Sequence, residues 1–167
     1  MNPAVIDDPR VVAEVSAVFH AYERALMAND VGALNAFFWP DARITRYGIA
    51  DRQLGIAELI AFRAATPAPR FTRRLENLRI CSFGPDMAVA QVEFVRSDTL
   101  LRGFQSQTWV RLQPGRSGWQ IVAAHVSMIA FPSALTAPTA PTAPIAPIAP
   151  ALPTTPTTAT ASALPAT

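Results

Sequence analysis

The chain has 167 residues, 50% of them hydrophobic, which is enough for one domain with a substantial core. The formal net charge is only +2, and all fourteen basic residues are arginines spread among acids, which excludes an electrostatic nucleic-acid surface but leaves a small anionic ligand open. The single cysteine, Cys81, excludes an internal disulfide and a cluster of thiolate metal ligands.

The N-terminal segment shows no charged region followed by an apolar run, so a signal peptide is not expected. No apolar stretch reaches the roughly 18 residues that a membrane-spanning helix needs. We therefore expect a cytoplasmic protein that has no membrane partner.

Three helices are predicted in the first half of the chain. The first begins at Asp8-Pro9, where a carboxylate can cap the helix and proline suits its first turn, and it ends at Asn29-Asp30. A short helix over Val31–Phe38, a candidate strand over Ala42–Tyr47 and a helix over Ile56–Ala65 follow. The inward face of the first helix is formed by apolar residues at helical spacing: Val15, Phe19, Tyr22 and Leu26.

Four long strands are predicted in the second half: Arg70–Phe83, Met87–Arg96, Leu101–Leu112 and Trp119–Ile129. The Pro- and Gly-containing segment Gln113–Gly118 is expected to join the last two as a hairpin. Helices followed by strands indicate an α+β domain with an antiparallel sheet. Such strands, covered by helices on one face, should curl into an open cone with a cavity opposite the first helix.

The sequence changes character near Phe131. Proline recurs every third residue between Thr136 and Pro156, and no charged residue occurs after Phe131. Proline, alanine and threonine offer little to bury, so we expect a domain over 1–131 and a disordered tail over 132–167. The tail is interpreted as a dispensable extension, with a proline-recognition ligand as the alternative.

The last predicted hairpin carries more polar side chains than a core normally holds. Alternation places Gln105, Gln107 and Trp109 on one face of its first strand, and His125 and Ser127 on one face of its second. Buried polar groups need partners, and this mixture of side chains is typical of a pocket lining. We expect these five residues to line the cavity.

Four segments resemble the AtzH/HpxZ-like family of the NTF2-like superfamily: AYERALMANDVGALNAFFWPDA, TRYGIADRQLGIAELIAFRAA, GFQSQTWVRL and GWQIVAAHVSM. The resemblance spans Val5 to about Ile129, and the QSQTW and AAHVSM elements are the most specific. It implies an NTF2-like cone in which three helices pack on a curved, mainly antiparallel sheet. The chain departs from the common pattern at Phe104, where many relatives have Arg, and lacks a Glu that relatives often carry around Gly48–Asp51.

The resemblance implies a small enzyme without a cofactor that acts on a ureide. The implied step converts 1,3-dicarboxyurea into allophanate, by C–N hydrolysis or by direct decarboxylation, in cyanuric acid and s-triazine catabolism. It further implies a functional association with an amidase-signature hydrolase. We also expect a homodimer, because a large apolar sheet face outside the pocket would favour self-association. A non-catalytic ureide-binding or accessory protein is the alternative, since one fold hosts many functions.

Arg46 and Tyr22 are the predicted catalytic residues. Arg46 shares a strand face with the inward-pointing Ile44, so it is expected to neutralise a substrate carboxylate. Pairing of Arg46 with an acid such as Asp41, Asp51 or Glu93 is the alternative. Tyr22 would exchange a proton with the substrate nitrogen whose bond to the carboxyl carbon breaks. Its alternative role is that of a core tyrosine with one hydrogen bond.

Six further residues are predicted to bind substrate. Gln105 and Gln107 can hydrogen-bond a urea through a donor and an acceptor each, or they bridge strands or subunits. No carboxylate that could orient His125 as the third member of a nucleophilic triad is evident. His125 and Ser127 are therefore expected to hydrogen-bond substrate oxygens, with a hydrogen-bonded imidazole in the pocket wall as the alternative for His125. Trp109 would form a cavity wall or a dimer contact.

Arg73 is a further anion-binding candidate, together with Arg63 and Arg70, whose facing directions the sequence leaves open. The chain has only two histidines, and neither lies in a pattern typical of metal ligands. No metal site is therefore expected.

Overall fold

The computed structural model describes residues 5–112 and 118–130. Most of the predicted turn, residues 113–117, and the predicted tail over 132–167 lie outside the described residues, so the domain boundary stays a prediction. The described helices are α1 (Pro9–Ala28), α2 (Val31–Ala36) and α3 (Ile56–Ala65). The described strands are β1 (Thr45–Tyr47), β2 (Arg52–Leu54), β3 (Arg73–Ser82), β4 (Met87–Arg96), β5 (Arg102–Arg111) and β6 (Trp119–Ile129).

Helix α1 begins and ends where its sequence predicts. The side chain of Asp8 accepts a hydrogen bond from the backbone N–H of Arg10 (2.9 Å), and Pro9 occupies the first helical position. Asn29 ends the helix in the left-handed conformation, with a φ of 53°. The apolar face of α1 buries Val15 and Phe19 completely against the sheet, which fixes the orientation of the whole helix.

The six described strands form one sheet in the order β2-β1-β6-β5-β4-β3. All neighbours pair antiparallel except β1 and β6, which pair parallel, so the α+β fold with a mainly antiparallel sheet is confirmed. Irregular register in β3 and between Thr108 and Trp109 of β5 adds curvature. The sheet is thereby curved around the helices.

Strand β2 was not predicted. It has only three residues, Arg-Gln-Leu, and lies at the edge of the sheet, paired with β1 alone. A segment this short carries too little alternation to be recognised, and its pairing depends on the position of β1. Helix α2 also ends earlier than expected, because Phe37 serves as its C-cap.

The helices cover one face of the sheet, and the core lies between them. Its fully buried members include Phe19, Phe38, Leu59, Trp109 and Ile121. None of the helices in the described part of the chain is long and apolar enough to cross a membrane.

Candidate functional site

A cavity of about 260 Å³ lies between the helices and the inward face of the sheet. All three helices and strands β1, β3, β4, β5 and β6 contribute to its wall. Among the described residues, its lining contains no carboxylate but four arginines: Arg46, Arg63, Arg73 and Arg96. A cavity lined by cations and apolar side chains is suited to a small organic anion.

Tyr22 projects from α1 into this cavity, as the sequence predicts. Its ring is buried and makes edge contacts with Phe37 and Phe38, at centroid distances of 5.8 and 6.4 Å. Its hydroxyl has no hydrogen-bond partner among residues 5–112 and 118–130. A rigidly held phenol with an unused hydroxyl can therefore donate a hydrogen bond, or a proton, to a ligand in the cavity.

Arg46 lines the cavity from β1 and also pairs with Asp51, so the alternative of pairing with an acid is present in the structure. Its Nη1 donates to Oδ1 of Asp51 (2.7 Å) and to Oε1 of Gln53 (2.6 Å). The guanidinium carbon lies 4.9 Å from the centre of the Phe62 ring. These contacts hold one end of the guanidinium and orient the side chain at the cavity.

Arg73 is part of a buried charged network that closes the inner end of the cavity. Its side chain is 6% exposed, and its Nη1 lies 3.5 Å from Oε2 of Glu23. Its Nη2 donates to Oε1 of Gln105 (3.2 Å), and the guanidinium stacks on the ring of Phe94 at 3.8 Å. Burial lowers the pKa of the Arg73 guanidinium, and the charge of Glu23 opposes that shift.

Glu23 is a member of this network that the sequence interpretation missed. It is buried on α1 and accepts a 2.7 Å hydrogen bond from Nε2 of Gln105. The sequence does indicate a buried carboxylate here, because Glu23 follows Phe19 by four residues and so lies on the apolar face of the helix. A carboxylate at such a position requires a cationic or hydrogen-bonding partner.

The remaining two cavity arginines differ in their partners. Arg96, also missed, forms a charged pair with Asp98, in which Nε donates to Oδ1 over 2.9 Å, and stacks on the Phe71 ring at 3.6 Å. Arg63 is 7% exposed, and its Nε is buried without a hydrogen-bond partner in the described part of the chain. Its guanidinium carbon lies 5.4 Å from the centre of the Phe38 ring.

Gln107 and Trp109 share a sheet face with Gln105 but do not line the cavity. Both are fully buried in the core, and Trp109 makes an edge contact with Phe37 at 6.2 Å. Within the described residues, Oε1 of Gln107 and Nε1 of Trp109 have no hydrogen-bond partner. Of the predicted substrate-binding residues on β5, only Gln105 therefore reaches the cavity.

His125 and Ser127 lie on the opposite face of the sheet, so the expectation that they line the same pocket is corrected. In the register of β5 and β6, His125 pairs with Ser106 and Ser127 pairs with Phe104, whereas Gln105 pairs with Val126. Directly paired residues share a face, which separates His125 and Ser127 from Gln105.

His125 and Ser127 instead help to line a wider groove of about 440 Å³ on the outer face. This groove is larger than the cavity, but it lacks the enclosed arginines and the buried tyrosine, so we assign the site to the cavity. Phe104 lies on the outer face too, and the departure from the family pattern at this position leaves the cavity lining unchanged.

The described residues contain no group of three or more His, Cys, Asp or Glu side chains that could hold a metal ion.

Comparison with known proteins identifies relatives over nearly all of the described chain. Residues 4–131 match the family model described as AtzH-like. A protein of unknown function of the DUF3225 family from Pectobacterium atrosepticum SCRI1043 is 45% identical, with a TM-score of 0.70 over 74% of this chain and 94% of that protein. A cystatin-like fold protein from Burkholderia xenovorans LB400 is also 45% identical, with a TM-score of 0.73 over 77% of this chain and 99% of that protein.

A more distant structural neighbour shows the fold alone. An NTF2-like protein of unknown function from Pseudomonas putida KT2440 is 18% identical, with a TM-score of 0.58 over 72% of this chain and 87% of that protein. No curated protein matches this sequence.

Proposed function

Because this chain belongs to the AtzH-like family, we propose that it is a small cofactor-independent enzyme that removes one carboxyl group from a carboxylated urea. The proposed reaction converts 1,3-dicarboxyurea into allophanate, in the cytoplasmic breakdown of cyanuric acid and other s-triazines. The observation that carries this proposal is the composition of the cavity. Its lining contains four arginines and, among the described residues, no carboxylate. The hydroxyl of Tyr22, which has no hydrogen-bond partner in the described residues, lies in the same cavity.

Binding is supported by the size and charge of the cavity. The proposed substrate has ten non-hydrogen atoms and two carboxylates, so a cavity of about 260 Å³ is of a suitable size. Arg46 would bind one carboxylate through its planar fork of donors. Gln105 lies beside the cavity with its Nε2 on Glu23 and its Oε1 on Arg73, so it is held in place to hydrogen-bond the urea.

In the decarboxylation route, the C–N bond to one carboxylate breaks and its electron pair goes to nitrogen. The hydroxyl of Tyr22 supplies the proton that this nitrogen gains, carbon dioxide leaves, and solvent returns a proton to Tyr22. One dianion and one proton thus give one allophanate and one carbon dioxide. In the hydrolytic route, water adds to the carboxyl carbon and the departing product is bicarbonate.

Both routes make modest demands on the protein. N-carboxylated ureas lose carbon dioxide spontaneously, so positioning, neutralisation of charge and a single proton transfer are sufficient chemistry. This agrees with a site whose polar side chains are arginines, one tyrosine, one threonine and amides.

The proposal is tested with 1,3-dicarboxyurea freshly generated by a carboxybiuret hydrolase, following allophanate formation over time. Wild type should accelerate the reaction, whereas Tyr22→Phe and Arg46→Ala should lose most of that acceleration. Tyr47→Phe, at an exposed tyrosine, and Arg24→Gln, at an exposed arginine, are matched controls that should retain it. Mass spectrometry of the first inorganic carbon released, as carbon dioxide or bicarbonate, separates the two routes.

Equal rates with and without the protein would reject the enzymatic proposal. Binding of the ureide without turnover would then favour the accessory role, and amidase activity should change when the two proteins are mixed.

We propose two protein partners as well. One is a second copy of this chain, because the helices cover only one face of the sheet and the outer face of β3 to β6 carries the wide groove. The other is an amidase-signature hydrolase, in keeping with the family. Light scattering of the purified protein, alone and mixed with that hydrolase, tests both.

A further inference from the structure

Among the four cavity arginines, Arg63 alone has no carboxylate partner in the described residues. Arg46 lies 2.7 Å from Asp51, Arg73 lies 3.5 Å from Glu23, and Arg96 lies 2.5 Å from Asp98. Within the described residues, Arg63 has no carboxylate at ion-pair distance and no hydrogen bond from its side chain. The cavity therefore holds one positive charge more than its neighbouring carboxylates neutralise.

A buried guanidinium without an anionic partner is unfavourable, because burial removes its hydration. The stabilising contacts that Arg63 does have are weak ones. The Phe38 ring lies 5.4 Å away, and the last turn of α3 places the cation near the negative end of the helix dipole. An anion in the cavity would supply the missing counter-charge, and the side chain of Arg63 lines that cavity directly.

We propose that Arg63 binds the second carboxylate of the substrate and makes the site select dianionic over monoanionic ligands. This inference rests on the proposed function and deepens it. Arg46 on β1 and Arg63 on α3 belong to different elements of the cavity wall, so they form two anion-binding positions that only a dianion occupies together. Loss of one carboxyl group leaves a product that engages one of them, which favours its release.

Stable ligands of matching length can test this selection. Glutarate has a five-atom chain with two terminal carboxylates, like 1,3-dicarboxyurea, and glutaramate has an amide in place of one of them, so it carries a single carboxylate, like allophanate. Calorimetric titration of the full chain should show glutarate bound more tightly than glutaramate by about tenfold to a hundredfold, the effect of one added charge-assisted contact.

Arg63→Gln should reduce that preference to about twofold or less, because the arginines that remain in the cavity are each paired with a carboxylate and no unpaired positive charge is left among the described residues for the second carboxylate of the ligand. Arg24→Gln removes an equal charge from the exposed face of α1 and should keep the preference. Thermal unfolding without ligand gives a second readout. Arg63→Gln should unfold at the same or a higher temperature than wild type, because an unpaired buried charge has been removed.

The proposal is overturned if wild type shows no preference for glutarate, or if Arg63→Gln weakens the binding of both ligands by the same factor. It is also overturned if Arg63→Gln unfolds at a markedly lower temperature with the preference intact, which would make the residue structural. Should Arg63→Gln not fold, Arg63→Lys decides by the same ratio, since it keeps the charge but loses the planar fork and should show a reduced preference.

Failure of this inference and failure of the proposed function give different results. Arg63-dependent selection without acceleration of 1,3-dicarboxyurea breakdown supports the second anion position and rejects the enzyme. If wild type accelerates the reaction but Arg63→Gln keeps the preference for the dianion, the enzymatic function is supported and the role of Arg63 is rejected.

Discussion

Nε2 of Gln105 donates a 2.7 Å hydrogen bond to Oε1 of Glu23, joining residues that lie 82 positions apart in the chain. Arg73 contacts both partners, with Nη2 3.2 Å from Oε1 of Gln105 and Nη1 3.5 Å from Oε2 of Glu23. The carboxylate thus determines which atom of the amide faces the guanidinium. This network ties α1 to β3 and β5 and holds the inner end of the cavity in one arrangement.

Glu23→Ala should destabilise the protein strongly, because it leaves Arg73 buried without its counter-charge. We expect a loss of about 3 to 5 kcal/mol in the free energy of unfolding, measured by urea denaturation. The double variant Glu23→Ala/Arg73→Met should recover part of that loss, because an apolar side chain then replaces the unpaired cation. A loss below about 1 kcal/mol in Glu23→Ala would contradict a tightly coupled network.

Tyr22→Phe should lower the activity strongly while leaving the stability of the protein almost unchanged. The hydroxyl has no partner in the described residues, so its removal should change the free energy of unfolding by less than about 0.5 kcal/mol. If Tyr22 supplies the proton, the rate with 1,3-dicarboxyurea should fall roughly a hundredfold or more. A stable variant with an unchanged rate would limit Tyr22 to a role in packing.

Gly103→Ala should disturb the cavity wall through Phe94. A Cβ at Gly103 would overlap the ring of Phe94, which in turn stacks on Arg73 at 3.8 Å. Overpacking of this kind should cost about 1 to 3 kcal/mol in the free energy of unfolding, and it should weaken binding of glutarate.

Gly32→Ala is the matched control for that variant. A Cβ at Gly32 meets only Asp30 at an ordinary 3.6 Å, and the position is helical, so this variant should gain up to about 1 kcal/mol. Equal stabilities of Gly103→Ala and wild type would show that Phe94 can move aside freely.

Stability should fall in acid partly because of Asp41. Hydrogen bonds from Arg43 lower the pKa of the Asp41 carboxyl from 3.8 to about 2. A carboxyl whose pKa is lower in the folded state stabilises the fold fully above pH 3.8, and this contribution is lost as the pH falls towards about 2. Melting temperatures of wild type and Asp41→Asn should therefore differ near pH 6 and converge near pH 2. A difference that persists unchanged at pH 2 would contradict this assignment.

Much of the architecture follows from local sequence signals. The cap at Asp8, the apolar spacing of α1 and the alternating strands predict the three helices, the four long strands and the α+β class, and all are present in the structure. Tyr22 and Arg46 are also placed at the cavity as their patterns indicate. Periodicity and capping are local properties, which a single sequence displays directly.

The composition of the site depends on contacts between distant segments. Glu23 was missed because its partners Gln105 and Arg73 come from strands far along the chain, and β2 was missed because β1 alone defines it. The assignment of His125 and Ser127 to the pocket failed for a related reason. Alternation groups the residues of one strand by face but does not say which of the two faces meets the helices.

The sequence by itself thus determined the three helices, the four long strands, the fold class and the number of arginines, because these depend on local spacing and residue type. Only the tertiary structure decided which side chains meet. The register of β5 with β6 sets Gln105 against Val126 and His125 against Ser106, and a shift of one residue would exchange their faces. That register is selected by packing of the whole inward face against the helices, so it appears only when the chain is folded.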